Sequence, residues 1–311
     1  MKGVLLREVG VIEMADLDEP DPKGSEVVVE VRAAGICGSD VHSARDGGLL
    51  RNPPLVIGHE VSGTVDGRNV AVNPMISCGT CIRCKEGRQH LCEERSIVGI
   101  QRPGGLAPRV AVPVSALVDL PSGISFEAGA MVEPLAVALH AVNLHPPARG
   151  DRVGILGAGT IGLMVAFLCV GEAGELAIAD PDSHRLGYAR DLGVTTASET
   201  LEGKFDVVFD AVGSATTHRL SLEHLRPGGT SVWVGNEHRE AAFDAQMLVR
   251  IEQRVIGSAA YTPDDFCAAA NRIDERLLEW AEVRPLEDAP DVIYSLMDPS
   301  PGGPVKYLFQ P

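Results

Sequence analysis

No apolar run in this chain approaches the roughly 18 residues that a membrane-spanning helix needs. The longest, "IGLMVAFLCV" from Ile161 to Val170, reads instead as a buried helix of a layered sheet. Basic residues are scarce: 27 Lys and Arg stand against 43 Asp and Glu, for a formal net charge of -16 and a pI near 5.0. That balance repels nucleic acid and anionic membrane surfaces, so neither is an expected partner. There is no internal repeat, no low-complexity tail and no leading signal segment. The seven cysteines are therefore expected in a reducing compartment, the cytoplasm, and not as disulfides.

What is present is apolar and rich in turns. With 311 residues, 45% of them hydrophobic, and 34 glycines, the chain suits an α/β enzyme of two domains, each with its own core. Residues 1–145 read as short strands broken by Gly and Pro, including a pair in "HEVSGTVDGRNVAVNP" joined at Asp66-Gly67. "SFEAGAMVEPLAVALHAVNL" has a helical period, with Pro134 near a helix start, and "HPPARGD" reads as a junction. From residue 146 to 275 strands and helices alternate, which predicts a mostly parallel sheet with helices on both faces. "VTTASETLEGK" leaves room there for a short strand and little helix. "DDFCAAANRIDERLLEW" reads as one helix, and the strand-like tail "VKYLFQP" is placed with a segment, 276–311, that rejoins the first domain.

Two motifs carry a physical reading by themselves. Cys78, Cys81, Cys84 and Cys92 follow C-x2-C-x2-C-x7-C, which suits a closed tetrahedral thiolate site for zinc, with no position left for substrate. An iron–sulfur site would be expected to close differently, and a chain of this length needs no disulfide staple. "GAGTIG" follows an apolar strand and opens a helix. Gly157 permits the turn, Gly159 clears space for a pyrophosphate, and Gly162 lets helix and sheet approach, with Thr160 and Ile161 at the helix N-terminus. Asp180, eighteen residues beyond Gly162, can accept ribose hydroxyls and would repel the extra phosphate of NADP. NAD is thus the expected cofactor, although His184 and Arg185 offset part of that repulsion.

"GICGSDVH" and "IGHEVSG" bring Cys37, Ser39, Asp40, His42, His59 and Glu60 into the reading. All the ligand types of a catalytic zinc are there, but spacing alone does not join Cys37 to His59. Together with "MVEPLAVALHA", the cysteine cluster and "GAGTIG", in this order, these motifs resemble the zinc-dependent medium-chain dehydrogenase/reductase family, especially its polyol (sorbitol-like) dehydrogenase branch. The resemblance covers nearly the whole chain. It implies a GroES-like β-rich catalytic domain, completed by the C-terminal segment, and a Rossmann NAD-binding domain between.

By the same resemblance, Cys37, His59 and Glu60 hold a catalytic zinc, and Glu133 binds it directly or through water. Cys78, Cys81, Cys84 and Cys92 then hold a structural one. Ser39 and His42 correspond to the hydroxyl relay, and Arg185 to a cofactor-binding residue. The implied reaction moves a hydride between NAD and a secondary alcohol, polyol or cyclitol-like substrate and its ketone, in a homodimer or homotetramer. A physiological ketone reductase, or a non-catalytic NAD-binding protein of this fold, are the alternatives. Three departures stand out: Ser43 where the branch has an aromatic, Ala260 where it has an arginine, and trimmed loops at "GTVDGRNVAV" and before Phe205.

Overall fold

The computed structural model describes residues 1–47, 52–298 and 302–311. The chain forms two units, one of Met1–Glu133 with Thr262–Pro311, the other of Pro134–Tyr261.

The first unit is built on strand Glu26–Gly35, which reads "EVVVEVRAAG" and buries Val29, Val31, Ala33 and Ala34. Antiparallel to it run Glu60–Val65, with Gly35 opposite Glu60, and Arg109–Pro113. The C-terminal strand Lys306–Gln310 also pairs with it, placing Phe309 opposite Ala34. Val61, Val70, Val72, Val110, Val112 and Phe309 fill the core behind this sheet. The strands Glu60–Val65 and Arg68–Val72 form a hairpin whose turn residues, Asp66 and Gly67, both have positive φ, 49° and 78°. Asp-Gly tolerates that left-handed pair, which matches the twist of the strands, so the short loop expected there is the one formed.

The second unit holds six parallel strands. Their order is Thr196–Ser198, Glu175–Ala179, Arg152–Leu156, Phe205–Asp210, Leu225–Trp233 and Arg254–Gly257. The sideways order in which successive strands are added therefore reverses at Arg152–Leu156, the switch point beyond which an open parallel sheet binds ligands. Val153, Ile155, Val207, Val208 and Phe209 are fully buried, as strands covered on both faces require. Only residues 199–204 separate the short third strand from Phe205, so that crossover carries no helix.

Some elements differ from the sequence reading. The division into units falls at Glu133/Pro134 and Tyr261/Thr262, earlier than the changes of texture at 145 and 275. Helix Val132–Leu144, with Leu135, Ala136, Ala138, Leu139 and Ala141 buried, begins just before the first of these divisions. Helix Pro263–Arg272 lies against strand Leu117–Asp119 of the first unit. That helix also stops early. Ile273 is extended, and the Asp274 side chain accepts the Arg276 N–H to start a separate turn over Glu275–Trp280. Strand Ala281–Pro285 and helix Ala289–Met297 complete the first unit without a clear signal in sequence, since the strand is largely exposed.

Candidate functional site

Cys37 caps helix Gly38–Asp46 just beyond the central strand, in an extended conformation. Its N–H donates to Asp40 Oδ2 at 3.0 Å. Glu60 begins the neighbouring strand and His59 directly precedes it, and the Gly35–Glu60 register brings them beside Cys37. Ligand atoms of Cys37, His59 and Glu60 lie within 4.8 Å of one another. Gly35 is required by this arrangement, because a Cβ there would overlap Glu60 Oε2.

The surroundings of the cluster are built for a cation. His59 Nδ1 faces Asp40 Oδ1 at 3.6 Å, and both side chains are buried. Burial acts to lower the His59 pKa, but the Asp40 carboxylate and Cys37 outweigh it and hold the pKa well above the usual 6.5. A buried imidazole so drawn to positive charge suits a metal ligand backed by a carboxylate. Glu60 is countered by Lys306, itself 2% exposed, whose Nζ also donates to Ile36 O at 2.8 Å. A cysteine sulfur, an imidazole and a carboxylate in one cluster, with His59 and Glu60 buried and Cys37 half-buried, fit zinc with one position open.

The other expected residues are placed as follows. Glu133, in the first turn of helix Val132–Leu144 and 9% exposed, is not part of the three-ligand cluster. Ser39 and His42 share the exposed face of helix Gly38–Asp46, one turn apart, and His42 Nδ1 is 3.3 Å from Arg45 Nη2. Ser43, on the same helix, is buried. Ala260 has a φ of 50°, a left-handed backbone uncommon for a residue with a Cβ.

The four cysteines Cys78, Cys81, Cys84 and Cys92 converge without disulfides. Their Sγ separations are 3.9 Å for Cys78–Cys84, 3.5 Å for Cys81–Cys84 and 3.5 Å for Cys92–Cys78. Zn–S bonds of about 2.3 Å in a tetrahedron set sulfur atoms about 3.8 Å apart, so the donor set fits zinc. N–H groups of Thr80 and Cys81 lower the Cys78 thiol to about 6. For Cys81 the Cys84 N–H acts to lower the pKa, yet burial and the neighbouring thiols push it up to about 11. The crowding of thiols is what a dication relieves.

In the second unit, Gly157 (φ 93°) turns the chain from strand Arg152–Leu156 to helix Thr160–Cys169, which Gly159 caps. A Cβ on Gly162 would overlap Gly157 O, so the close approach expected there is present. Thr160 and Ile161 form the first turn of the helix. Asp180, 5% exposed, follows strand Glu175–Ala179; its Oδ2 accepts from Ala158 N at 2.7 Å and its Oδ1 from Asp182 N at 2.8 Å. Arg185 lies 4.0 Å from Asp180 and 3.8 Å from Asp182. The glycine turn and the acidic residue thus form one hydrogen-bonded unit.

Sequence reasoning did not assign Asp40, Gly35 or Lys306 a part. Asp40 stands inside "CGSDVH", so its signal was local; Lys306 lies 270 residues beyond its acceptor at Ile36 and has none.

Residues 23–122 match the alcohol dehydrogenase GroES-like domain family, and residues 159–275 match the zinc-binding dehydrogenase family. The chain is 30% identical to L-galactonate-5-dehydrogenase of Escherichia coli (strain K12), over 82% of each protein. It is 32% identical to D-arabitol-phosphate dehydrogenase of Enterococcus avium, over 91% of this chain and 93% of that one. A solved structure from Sinorhizobium meliloti 1021, described as a zinc-binding dehydrogenase bound to NADP, superposes with a TM-score of 0.91. It covers 100% of this chain and 99% of its own at 31% identity. With a GroES-like β-rich unit, a Rossmann-type parallel sheet and these relatives, the chain belongs to the zinc-dependent medium-chain dehydrogenase/reductase family, in its polyol and sugar-alcohol dehydrogenase branch.

Proposed function

We propose that this protein is an NAD-dependent zinc oxidoreductase that moves a hydride between NAD and a secondary alcohol, polyol or cyclitol-like substrate and its ketone. The observation that carries this reading is the meeting of Cys37, His59 and Glu60 in one cluster, with Asp40 behind the buried His59. Relatives named for L-galactonate and D-arabitol phosphate favour a polyhydroxylated substrate.

His59 turns Nδ1 to Asp40, which leaves Nε2 for the ion, and Cys37 and Glu60 supply the other two protein ligands. Glu133 joins them directly or through water. Zinc held there supplies a Lewis acid that lowers the pKa of the substrate hydroxyl, and NAD supplies the hydride acceptor. Ser39 takes the hydroxyl proton, and His42, on the same exposed helix face, carries it onward. Cys78, Cys81, Cys84 and Cys92 hold a second, structural zinc that takes no part in the reaction. In the second unit, Gly157, Gly159 and Gly162 clear a path to the N–H groups of Thr160 and Ile161 for the pyrophosphate. Each Asp180 oxygen uses one lone pair on a backbone N–H and keeps another for a ribose hydroxyl. Arg185 braces that carboxylate. The enzyme works in the cytoplasm as a homodimer or homotetramer.

Metal analysis joined to a screen of NAD reduction over secondary alcohols, sugar alcohols and aminocyclitols tests the proposal. Two zinc ions per chain and NADH formation with at least one such alcohol are expected. Protein holding both ions that neither binds NAD nor reduces it with any of them would sink it.

A further inference from the structure

The carboxyl ends of three parallel strands are tied together around one residue outside the metal chemistry, Asp210, and its neighbour Ala211. Asp210 ends strand Phe205–Asp210 and is fully buried. Its Oδ1 accepts the N–H groups of Val212 and Gly213 at 3.0 and 2.9 Å. Its main-chain oxygen accepts those of Val234 and Gly235, beyond the next strand, at 2.9 and 3.0 Å. On the other side, Ala211 N donates at 3.0 Å to Leu156 O, the residue before Gly157. The turn so held has no slack: a Cβ on Gly157 would stand 2.6 Å from Val212 Cγ2, and one on Gly213 would overlap Gly235. A ligand of an open parallel sheet lies beyond these strand ends. Asp210 therefore shapes a wall of the nucleotide crevice.

The remaining oxygen, Asp210 Oδ2, faces His218 Nδ1 at 2.9 Å, an ion-pair distance without hydrogen-bond alignment, and neither atom has an aligned hydrogen bond elsewhere. His218 lies on helix Ala215–Glu223 and is 7% exposed. Its ring is stacked on Trp233, with centroids 4.0 Å and planes 22° apart. The indole is pinned in turn, since Trp233 Nε1 and Ser231 Oγ both donate to Ser221 Oγ, at 2.9 and 2.8 Å. A buried carboxylate oxygen left alone is costly and would draw the side chain into another rotamer. His218 is the group that prevents this.

We propose that His218 is a positioning residue for the nucleotide: it holds Asp210, and through it the Val212–Gly213 turn, in the shape that the crevice needs. This rests on the reading of the second unit as the NAD site. Calorimetric titration of the full-length, zinc-loaded protein with NAD compares the unmodified chain with His218→Ala and His218→Asn. The Asn amide nitrogen stands near the place of imidazole Nδ1 and keeps a donor for Oδ2. His218→Ala should weaken NAD binding about tenfold, and His218→Asn should restore most of it, with metal content unchanged throughout. Asp210→Asn, which sets an amide against the imidazole, should weaken binding as His218→Ala does and serves where that variant fails to fold. Trp233 emission should respond to NAD in the unmodified protein and respond less in His218→Ala; Trp233→Phe identifies the signal. Unchanged NAD affinity in either His218→Ala or Asp210→Asn, or a loss that His218→Asn does not recover, overturns the proposal and leaves the NAD site standing. Failure of the unmodified protein to bind NAD overturns the reading beneath it instead.

Discussion

The two metal-ligand clusters differ in how far the chain travels to make them. The four cysteines come from the fifteen residues Cys78–Cys92, and local turns bring their sulfur atoms to within 4.8 Å of one another. Cys37, His59 and Glu60 meet only because two strands pair in one register, with Lys306 arriving from the far end of the chain. The first cluster is complete in its own ligands and has no place for a reactant. The second has three protein ligands and a carboxylate behind its histidine, an arrangement that leaves a position open. Under the proposed function, the closed site built locally serves the fold, and the open one built from distant strands serves chemistry.

That contrast can be broken by exchange of effects. His59→Ala should abolish turnover and remove one zinc ion while NAD binding survives; Cys84→Ser should remove the other ion and lower the melting temperature. Metal analysis with calorimetry of both variants decides it, and a stable, fully zinc-loaded Cys84→Ser protein would undo the assignment. Ser39→Ala should retain both ions yet slow turnover by about 10²–10⁴-fold, the usual worth of a proton relay. Undiminished turnover would remove the relay and leave the metal site untouched.

Smaller effects sharpen the picture. Gly35→Ala drives a methyl group into Glu60 Oε2, so zinc retention against a chelator should fall, with about 1–3 kcal/mol lost from stability by overpacking. Asp180→Ala should erode a preference for NAD over NADP, about tenfold for a charged hydrogen-bonding group, as read by titration with both cofactors. Tighter NADP binding by the unmodified chain, as the NADP-bound relative allows, would reverse the cofactor assignment. The least effect concerns thiol chemistry in metal-stripped protein. Cys78, lowered to about 6, should alkylate faster as pH rises through that value and then level off. Cys169, pushed up to about 12 by burial, should stay unlabelled across the same range. Mass spectrometry of the labelled peptides distinguishes them.

Much of this site was legible in sequence wherever the signal was local. The cysteine spacing, the glycine turn followed by a helix and the Asp66-Gly67 hairpin each encode a geometry within a few residues, and each geometry is present. The candidate catalytic ligands needed more. Cys37 and His59 could be listed from their types, but resemblance, not spacing, joined them before the strand register did. The break at Ile273 was hidden because a helical period runs through it, and only the Asp274 cap and the burial of Leu277 and Trp280 end the helix there.

Residue order alone determined the ligand types, the turn chemistry and the alternation of strands and helices, because each depends on backbone preferences over a few neighbouring positions. Tertiary structure decided which buried polar groups face one another: Asp40 with His59, Lys306 with Glu60, Asp210 with His218. Pairing between distant segments follows from sheet register and core packing, and no local pattern records it. The charges at the candidate site are therefore set by the fold as a whole, even though each ligand is written plainly in the chain.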